Sequence, residues 1–117
     1  MGRGRGQRFH PYYVRNLARI YDYLEIPMQP REARYMLSFE HHNMRGCGGT
    51  ERDYGYVRIN VYFTTGKVAT VINHPSIPGR QNQLYRTIQE IEMLENVFSN
   101  PRYHTNTGYR RREFSTR

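Results

Sequence analysis

The amino-acid sequence predicts an α+β fold: an antiparallel meander of three to four strands with an N-terminal and a C-terminal helix packed on one face. Three observations support this prediction. Residues 57–73 are typical of two strands joined by a turn, and residues 11–24 and 88–100 repeat apolar side chains at helical spacing. Because the apolar face of an antiparallel sheet needs a second layer to cover it, we expect both helices on that face.

The chain of 117 residues has the length of one domain. We expect a flexible Gly-Arg arm over residues 1–8, one folded α+β domain over residues 9–101 and a basic Tyr/Arg tail over residues 102–117. The arm has no apolar residue after Met1, and the tail has no hydrophobic period. We therefore expect neither segment to form a packed element.

The first helix is predicted over residues 11–24. Pro11 suits the first helical turn, and Pro27 and Pro30 disfavour continuation beyond the apolar stripe. The stripe consists of Val14, Leu17, Ala18, Tyr21 and Leu24. One face of this helix should therefore contact the sheet.

Residues 31–42 have two interpretations. Ala33, Met36 and Leu37 have helical spacing, which predicts a second helix opened by Pro30. Tyr35, Leu37 and Phe39 have strand spacing. We favour the strand, because a hairpin of two strands is only marginally stable without a neighbour.

A Gly-rich loop is predicted over residues 42–53, where Arg45 and Arg52 are candidates for contacts with a partner. The possible metal ligands in this region are His41, His42 and Cys47. Their spacing matches no closed zinc site, so we predict neither a metal nor another cofactor.

The hairpin over residues 57–73 is the clearest element. With Thr65-Gly66 as a two-residue turn, Phe63 faces Val68 and Val61 faces Thr70. The face predicted to be buried holds Val57, Ile59, Val61, Phe63, Val68 and Ile72. The opposite, largely polar face holds Arg58, Asn60, Tyr62, Lys67 and Asn73, together with Ala69 and Val71.

Residues 81–86 are predicted to form an edge strand with Leu84 directed inward, or else to open the last helix. Thr87 and Glu90 have the spacing of a capping box, which favours the strand and starts the helix at Ile88. Asn100-Pro101 ends that helix.

Basic residues outnumber acidic residues by 18 to ten, which gives a formal net charge of +8. All of them except Lys67 are Arg, the side chain suited to bidentate phosphate contacts and to stacking on bases. This balance favours nucleic acid as the partner. The candidate nucleic-acid-binding residues are Arg3, Arg5, Arg8, Arg45, Arg52, Arg58, Tyr62, Lys67, Arg102, Tyr109, Arg110, Arg111 and Arg112.

We therefore predict a small basic protein that binds RNA or single-stranded DNA without catalysis. One alternative is a metal-free RNA-processing enzyme, in which a His pair acts as acid and base and cations stabilise the phosphorane charge. Its candidate residues are His74, His104, Arg80 and Arg86. A second alternative is a structural subunit of a ribonucleoprotein or virion. The sequence leaves the oligomeric state open.

The sequence contains neither a run of about 18 apolar residues nor a signal peptide, so we expect no membrane partner. Its single cysteine, Cys47, allows no internal disulfide, which agrees with a reducing compartment. We therefore expect an intracellular protein of the cytoplasm or nucleus.

Overall fold

A computed structural model describes residues 7–45, 54–73 and 81–102 of the chain. Along the chain the elements are α1 (Pro11–Ile20), β1 (Leu24–Ile26), α2 (Pro30–Ala33), β2 (Leu37–Arg45), β3 (Tyr54–Tyr62), β4 (Lys67–Asn73), β5 (Gln81–Thr87) and α3 (Ile91–Ser99). The five strands form one antiparallel sheet in chain order. The predicted α+β meander is confirmed, with five strands instead of three to four.

The apolar core lies between the two longer helices and one face of the sheet. The strands contribute Leu37, Phe39, Val57, Ile59, Val61, Val68 and Ile72, and the helices contribute Val14, Ala18, Leu94, Val97 and Phe98. Both helices therefore pack on the same face, as predicted. Each helix of the described residues is too short or too polar to span a lipid bilayer.

Helix α1 is shorter than predicted. His10 caps its first turn, with Tyr12 N donating to His10 Nδ1 at 3.0 Å. The helix ends at Ile20 because Asp22 adopts a left-handed conformation with φ of 66°. Leu24 had been assigned to the apolar stripe, but it begins strand β1 and is 63% exposed.

Both interpretations of residues 31–42 hold in part. Pro30 opens the four-residue helix α2, and the chain then enters β2 at Leu37. Strand β2 pairs with β3 over most of its length, so it is the neighbour that the hairpin was expected to need. Its register shifts between His41 and Met44, where a β-bulge or irregularity interrupts the ladder.

The predicted hairpin register is wrong by two residues. Val61 faces Val68 and Ile59 faces Thr70, because residues 63–66 form a four-residue loop instead of the predicted two-residue turn. A shift by an even number of residues leaves every side chain on its face. The predicted buried face is therefore confirmed despite the wrong partners.

The predicted capping box at the start of the last helix is wrong. Thr87 ends β5, Glu90 precedes α3 without a side-chain hydrogen bond, and the helix begins at Ile91. Ile88 is fully buried in the connection, where its backbone N donates to Gly66 O at 2.8 Å. Among the described strands, β5 is at the edge of the sheet as predicted, and α3 ends at Ser99, immediately before Asn100-Pro101.

Three segments meet at the loop between β3 and β4. Arg8 N donates to Thr64 O at 3.2 Å, and Phe9 N donates to Phe63 O at 2.9 Å. The Arg8 side chain crosses the loop and donates from Nη1 to Ile88 O at 3.0 Å. We call this contact region the Gly66 junction, since Gly66 lies at its centre with φ of 88°.

A fully buried arginine lies beside the core. Arg86 of β5 donates from Nη1 to Thr70 Oγ1 and from Nη2 to Pro101 O, both at 3.0 Å. Thr70 Oγ1 donates to the same carbonyl at 3.1 Å. Because buried polar groups are stable only when hydrogen-bonded, this cluster ties the residues after α3 to the sheet.

Replacing Gly66 by Ala should destabilise the protein. The new Cβ would lie 2.6 Å from Ile88 O and 2.9 Å from Arg8 Nη1, and the φ of 88° disfavours any side chain. We expect a loss of about 2 kcal/mol or more in the free energy of unfolding, measured with urea. The control is Thr65→Ala in the same loop, which is exposed and should change stability much less. Equal stability of Gly66→Ala and wild type would contradict the described junction.

Replacing Arg86 by Met should also destabilise the fold, because Thr70 Oγ1 and Pro101 O would lose buried donors. We expect the free energy of unfolding to fall by about 2 kcal/mol. The matched control is Arg19→Gln on the exposed surface of α1, which should stay within about 0.5 kcal/mol of wild type. If both variants unfold at the wild-type urea concentration, the Arg86 cluster has no stabilising role.

Candidate nucleic-acid interface

The sheet has a second face, opposite to the face on which α1 and α3 pack. We call it the open face. The alternation of side chains along β3 defines the open face, because Val57, Ile59 and Val61 point into the core and the residues between them point away. The side chains on the open face near its centre are Ser38, Glu40, Tyr56, Arg58, Asn60, Tyr62, Lys67, Ala69, Val71, Gln83 and Tyr85.

Two tyrosines stack at one end of the open face. The rings of Tyr35 and Tyr62 are nearly parallel, with an interplanar angle of 11° and 6.2 Å between centroids. Lys67 Nζ lies 6.0 Å from the centroid of the Tyr62 ring. Tyr35 is 39% exposed, and Tyr85 on β5 is 37% exposed. This end of the face therefore combines accessible rings with a cation.

A hydrogen-bonded group lies at the centre of the open face. Ser38 and Asn60 face each other across β2 and β3, and Ser38 Oγ donates to Asn60 Oδ1 at 2.6 Å. Arg58 Nε donates to Ser38 Oγ at 2.9 Å. We call these three residues the Ser38 network. Ser38 is fully buried although it lies on this face, so its hydroxyl is held inside the network.

The two cations of the open face have uncommitted donors. Among the described residues, Arg58 Nη1 and Nη2 make no hydrogen bond or ion pair, and Lys67 Nζ makes none either. The hydrogen bond from Arg58 Nε to Ser38 Oγ positions the guanidinium group. The two terminal nitrogens, Nη1 and Nη2, stay available for an anion.

Glu40 lies directly across from Arg58 in the register of β2 and β3. Its carboxylate instead accepts a hydrogen bond from Tyr56 Oη at 3.0 Å and lies 3.5 Å from His42 Nε2. Burial, the hydrogen bond to Glu40 and the charge of Glu40 together raise the pKa of the Tyr56 phenol. At neutral pH Tyr56 is therefore a donor to Glu40, and among the described residues no ion pair joins Glu40 to Arg58.

The two outer surfaces of the domain differ in charge. Helix α3 and its N-cap expose Glu90, Glu92 and Glu95 and contain no basic residue. The open face carries Arg58 and Lys67 against Glu40. An anionic ligand is therefore favoured by the open face and disfavoured by the outer surface of α3.

The structure places three of the predicted binding residues on the open face, namely Arg58, Tyr62 and Lys67, and Lys67 Nζ lies 6.0 Å from the centroid of the Tyr62 ring. Arg8 lies at the Gly66 junction instead, and Arg102 N donates to Asn100 Oδ1 at 3.2 Å just after α3. Arg45 ends β2, and its side chain lies outside the described part of the chain. Also outside it are Arg3, Arg5, Arg52, Tyr109, Arg110, Arg111 and Arg112.

The candidate residues of the enzyme alternative are not seen as a group. Arg86 is fully buried in the hydrogen-bonded cluster with Thr70, which is a structural position. His74, Arg80 and His104 lie outside the described residues. Among residues 7–45, 54–73 and 81–102, no three His, Cys, Asp or Glu side chains are grouped to hold a metal ion.

Sequence reasoning missed three contributors to this face. Tyr85 alternates with the inward Leu84 and Arg86, so strand period would have identified it. Tyr35 precedes β2 and reaches Tyr62 only through the turn after α2, and Ser38 becomes important only through its cross-strand partner. No local sequence pattern predicts the roles of Tyr35 and Ser38.

Comparison with protein-family models, with curated proteins and with solved structures finds no match.

The Tyr56 phenol should titrate above its ordinary pKa of 10.0. Because its folded-state pKa is raised, the stabilisation from the Tyr56–Glu40 pair is present below pH 10.0 and is lost as the pH rises through the higher folded-state value. A ¹³C NMR titration of the tyrosine Cζ atoms, assigned with Tyr56→Phe, measures this pKa. Glu40→Gln should lower it toward 10.0, because the negative charge is removed. A Tyr56 pKa of 10.0 or below in the wild type would contradict the described hydrogen bond.

Proposed function

We propose that the protein binds single-stranded nucleic acid, RNA or DNA, on the open face and does not cleave it. The observation that supports this proposal most directly is the stacked pair of Tyr35 and Tyr62 beside Lys67. Sheets that expose aromatic rings next to cations are suited to single strands, because unpaired bases stack on the rings and the cations neutralise phosphates.

The position of the rings favours a ligand that crosses several strands. Tyr62 lies near the end of β3, and Tyr85 lies on β5 beside Ala69. Ala69 is small and pairs on its other side with Asn60, so no bulky side chain of β4 separates Tyr85 from the centre of the face. A single-stranded nucleic acid that stacks one base on Tyr62 is expected to continue across the sheet toward Tyr85.

Single strands fit this surface better than a duplex. Bases inside a duplex are stacked on one another and offer only their edges, so exposed tyrosine rings gain little from them. The open face presents rings together with side chains such as Arg58 and Lys67. This combination favours flexible ligands with unpaired bases and gives little sequence preference, since every base has a face that stacks.

The distribution of charge along the sequence supports the same class of partner. Residues 1–6 contain two Arg and no acidic residue, and residues 103–117 contain four Arg and one Glu. Tyr109 stands beside three of those Arg residues. We propose that both segments, which lie outside the described residues, add phosphate contacts to a ligand on the open face.

The test is fluorescence anisotropy with a labelled single-stranded oligonucleotide over a range of salt concentrations. Wild-type affinity should fall steeply with salt, by a slope of about 0.7 in log–log units for each phosphate neutralised. Tyr62→Leu removes a ring while keeping an apolar side chain, and it should weaken binding about tenfold, since one stacked base is worth about 1–3 kcal/mol.

The matched control is Tyr12→Leu, which removes an exposed ring from α1 on the other side of the domain and should leave the affinity unchanged. No binding at low salt, or equal loss in both variants, would refute the proposed interface. The oligonucleotide should be recovered intact after incubation. Cleavage that disappears in His74→Ala, with binding retained, would instead establish the enzyme alternative.

A further inference from the structure

We propose that Arg58 and Asn60, held in place by Ser38, form a discrete site for one phosphate group, and that Tyr56 keeps this site open by holding Glu40 aside. The proposal rests on the proposed function for the identity of the ligand, a phosphodiester of a single strand. It goes further by assigning one chemical group of that ligand to one set of side chains.

The orientation of the Asn60 amide leaves its amino group available to a ligand. Asn60 Oδ1 accepts from Ser38 Oγ at 2.6 Å and lies 3.4 Å from Arg58 Nε. Because the carbonyl oxygen is turned toward these donors, the Nδ2 amino group is turned away from Ser38. Among the described residues Nδ2 has no hydrogen-bond acceptor. Asn60 therefore offers donors to a ligand.

The side-chain groups left available at this site are hydrogen-bond donors. Arg58 offers Nη1 and Nη2, Asn60 offers Nδ2, and the Ser38 hydroxyl is occupied inside the network. Only donors remain for a ligand. Base edges carry donors as well as acceptors, whereas phosphate oxygens are acceptors only. The centre of the open face is therefore complementary to phosphate, and the rings of Tyr35 and Tyr62 are complementary to bases.

Ser38 acts as a positioning residue. Its hydroxyl accepts from Arg58 Nε at 2.9 Å and donates to Asn60 Oδ1, and it is fully buried. Both ligand-facing side chains are therefore oriented before a ligand arrives. Such preorganisation reduces the side-chain ordering that binding would otherwise require.

Glu40 is the acidic group nearest to this site in the strand register, since it faces Arg58 directly. An Arg58–Glu40 ion pair would occupy the terminal nitrogens and repel phosphate. The Tyr56 hydrogen bond at 3.0 Å draws the carboxylate in another direction, and His42 lies 3.5 Å from its second oxygen. Removing the charge of Glu40 should therefore tighten binding.

The experiment uses a single-stranded oligothymidylate just long enough to span the open face, so that it cannot shift its register, and one phosphate at a time is replaced by a neutral methylphosphonate. Wild-type protein should lose about tenfold in affinity at the position that occupies the site, because charge-assisted hydrogen bonds are lost there. Arg58→Gln should bind about tenfold more weakly and should no longer distinguish that position. Ser38→Ala should likewise lose the positional effect, although its charge is unchanged.

Glu40→Gln should bind about fivefold more tightly than wild type and keep the positional effect. Arg19→Gln is the matched control for charge, since Arg19 is exposed on α1 and away from the open face. It should change neither the affinity nor the positional effect by more than about twofold. Circular dichroism confirms that each variant is folded.

Failure of this inference is distinguishable from failure of the proposed function. If the oligonucleotide binds but Arg58→Gln and Ser38→Ala keep the positional effect, the phosphate site is refuted and the proposed function stands. If the oligonucleotide does not bind, inorganic phosphate is titrated while the ¹⁵N NMR signal of Arg58 Nε is followed. A saturable shift that is lost in Ser38→Ala supports the site, and the absence of a shift refutes it.

Discussion

The close approach of backbone segments at Gly66 is the constraint on which the rest of the structure depends. A side chain at this position would collide with Ile88 O, so the chain before α3 can lie against the loop only because residue 66 is glycine. Arg8 enters the same junction from the N-terminal side. Helix α1 begins three residues after Arg8, and α3 begins three residues after Ile88. Both helices therefore leave from one corner of the sheet and cover one face, and the open face lies on the opposite side.

The open face gains its chemistry from the rigidity of the strands beneath it. Along β3, Arg58 stands between the fully buried Val57 and Ile59, and Tyr62 stands between the buried Val61 and Phe63. Strand positions of this kind are displaced little by thermal motion in comparison with loops. The Ser38 network adds a second restraint, because it fixes the guanidinium of Arg58 through Nε and leaves its outer nitrogens for solvent or ligand. Binding of the proposed single-stranded ligand would then require ordering of the ligand more than of the protein.

The sequence was sufficient for the fold class and for the sorting of the hairpin faces, because strand alternation survives an error of two residues in register. It failed where contacts distant in sequence decide the local structure. The Thr87–Glu90 capping box does not form, because Ile88 N donates to Gly66 O. Leu24 does not continue α1, because Asp22 adopts a left-handed conformation that ends the helix. In the same way, alternation identified Arg58, Tyr62 and Lys67 as neighbours on one face, but no local pattern indicates that Tyr35 stacks there or that Arg86 is buried.

The position of Ser38 has a consequence for how such a protein diverges. Most residues of the open face are replaceable without disturbing the core, since their side chains point away from it, so binding preference and stability are free to evolve separately. Ser38 and Ala69 are the exceptions, because they lie on the open face and yet are buried, at 0% and 1% exposure. At position 38 an alanine would remove the hydroxyl that bonds to Arg58 and Asn60, and a larger side chain would force the strands apart. In a set of descendants, Ser38 should therefore vary less than Tyr62, although in the proposed complex Tyr62 stacks on a base and Ser38 contacts no ligand atom.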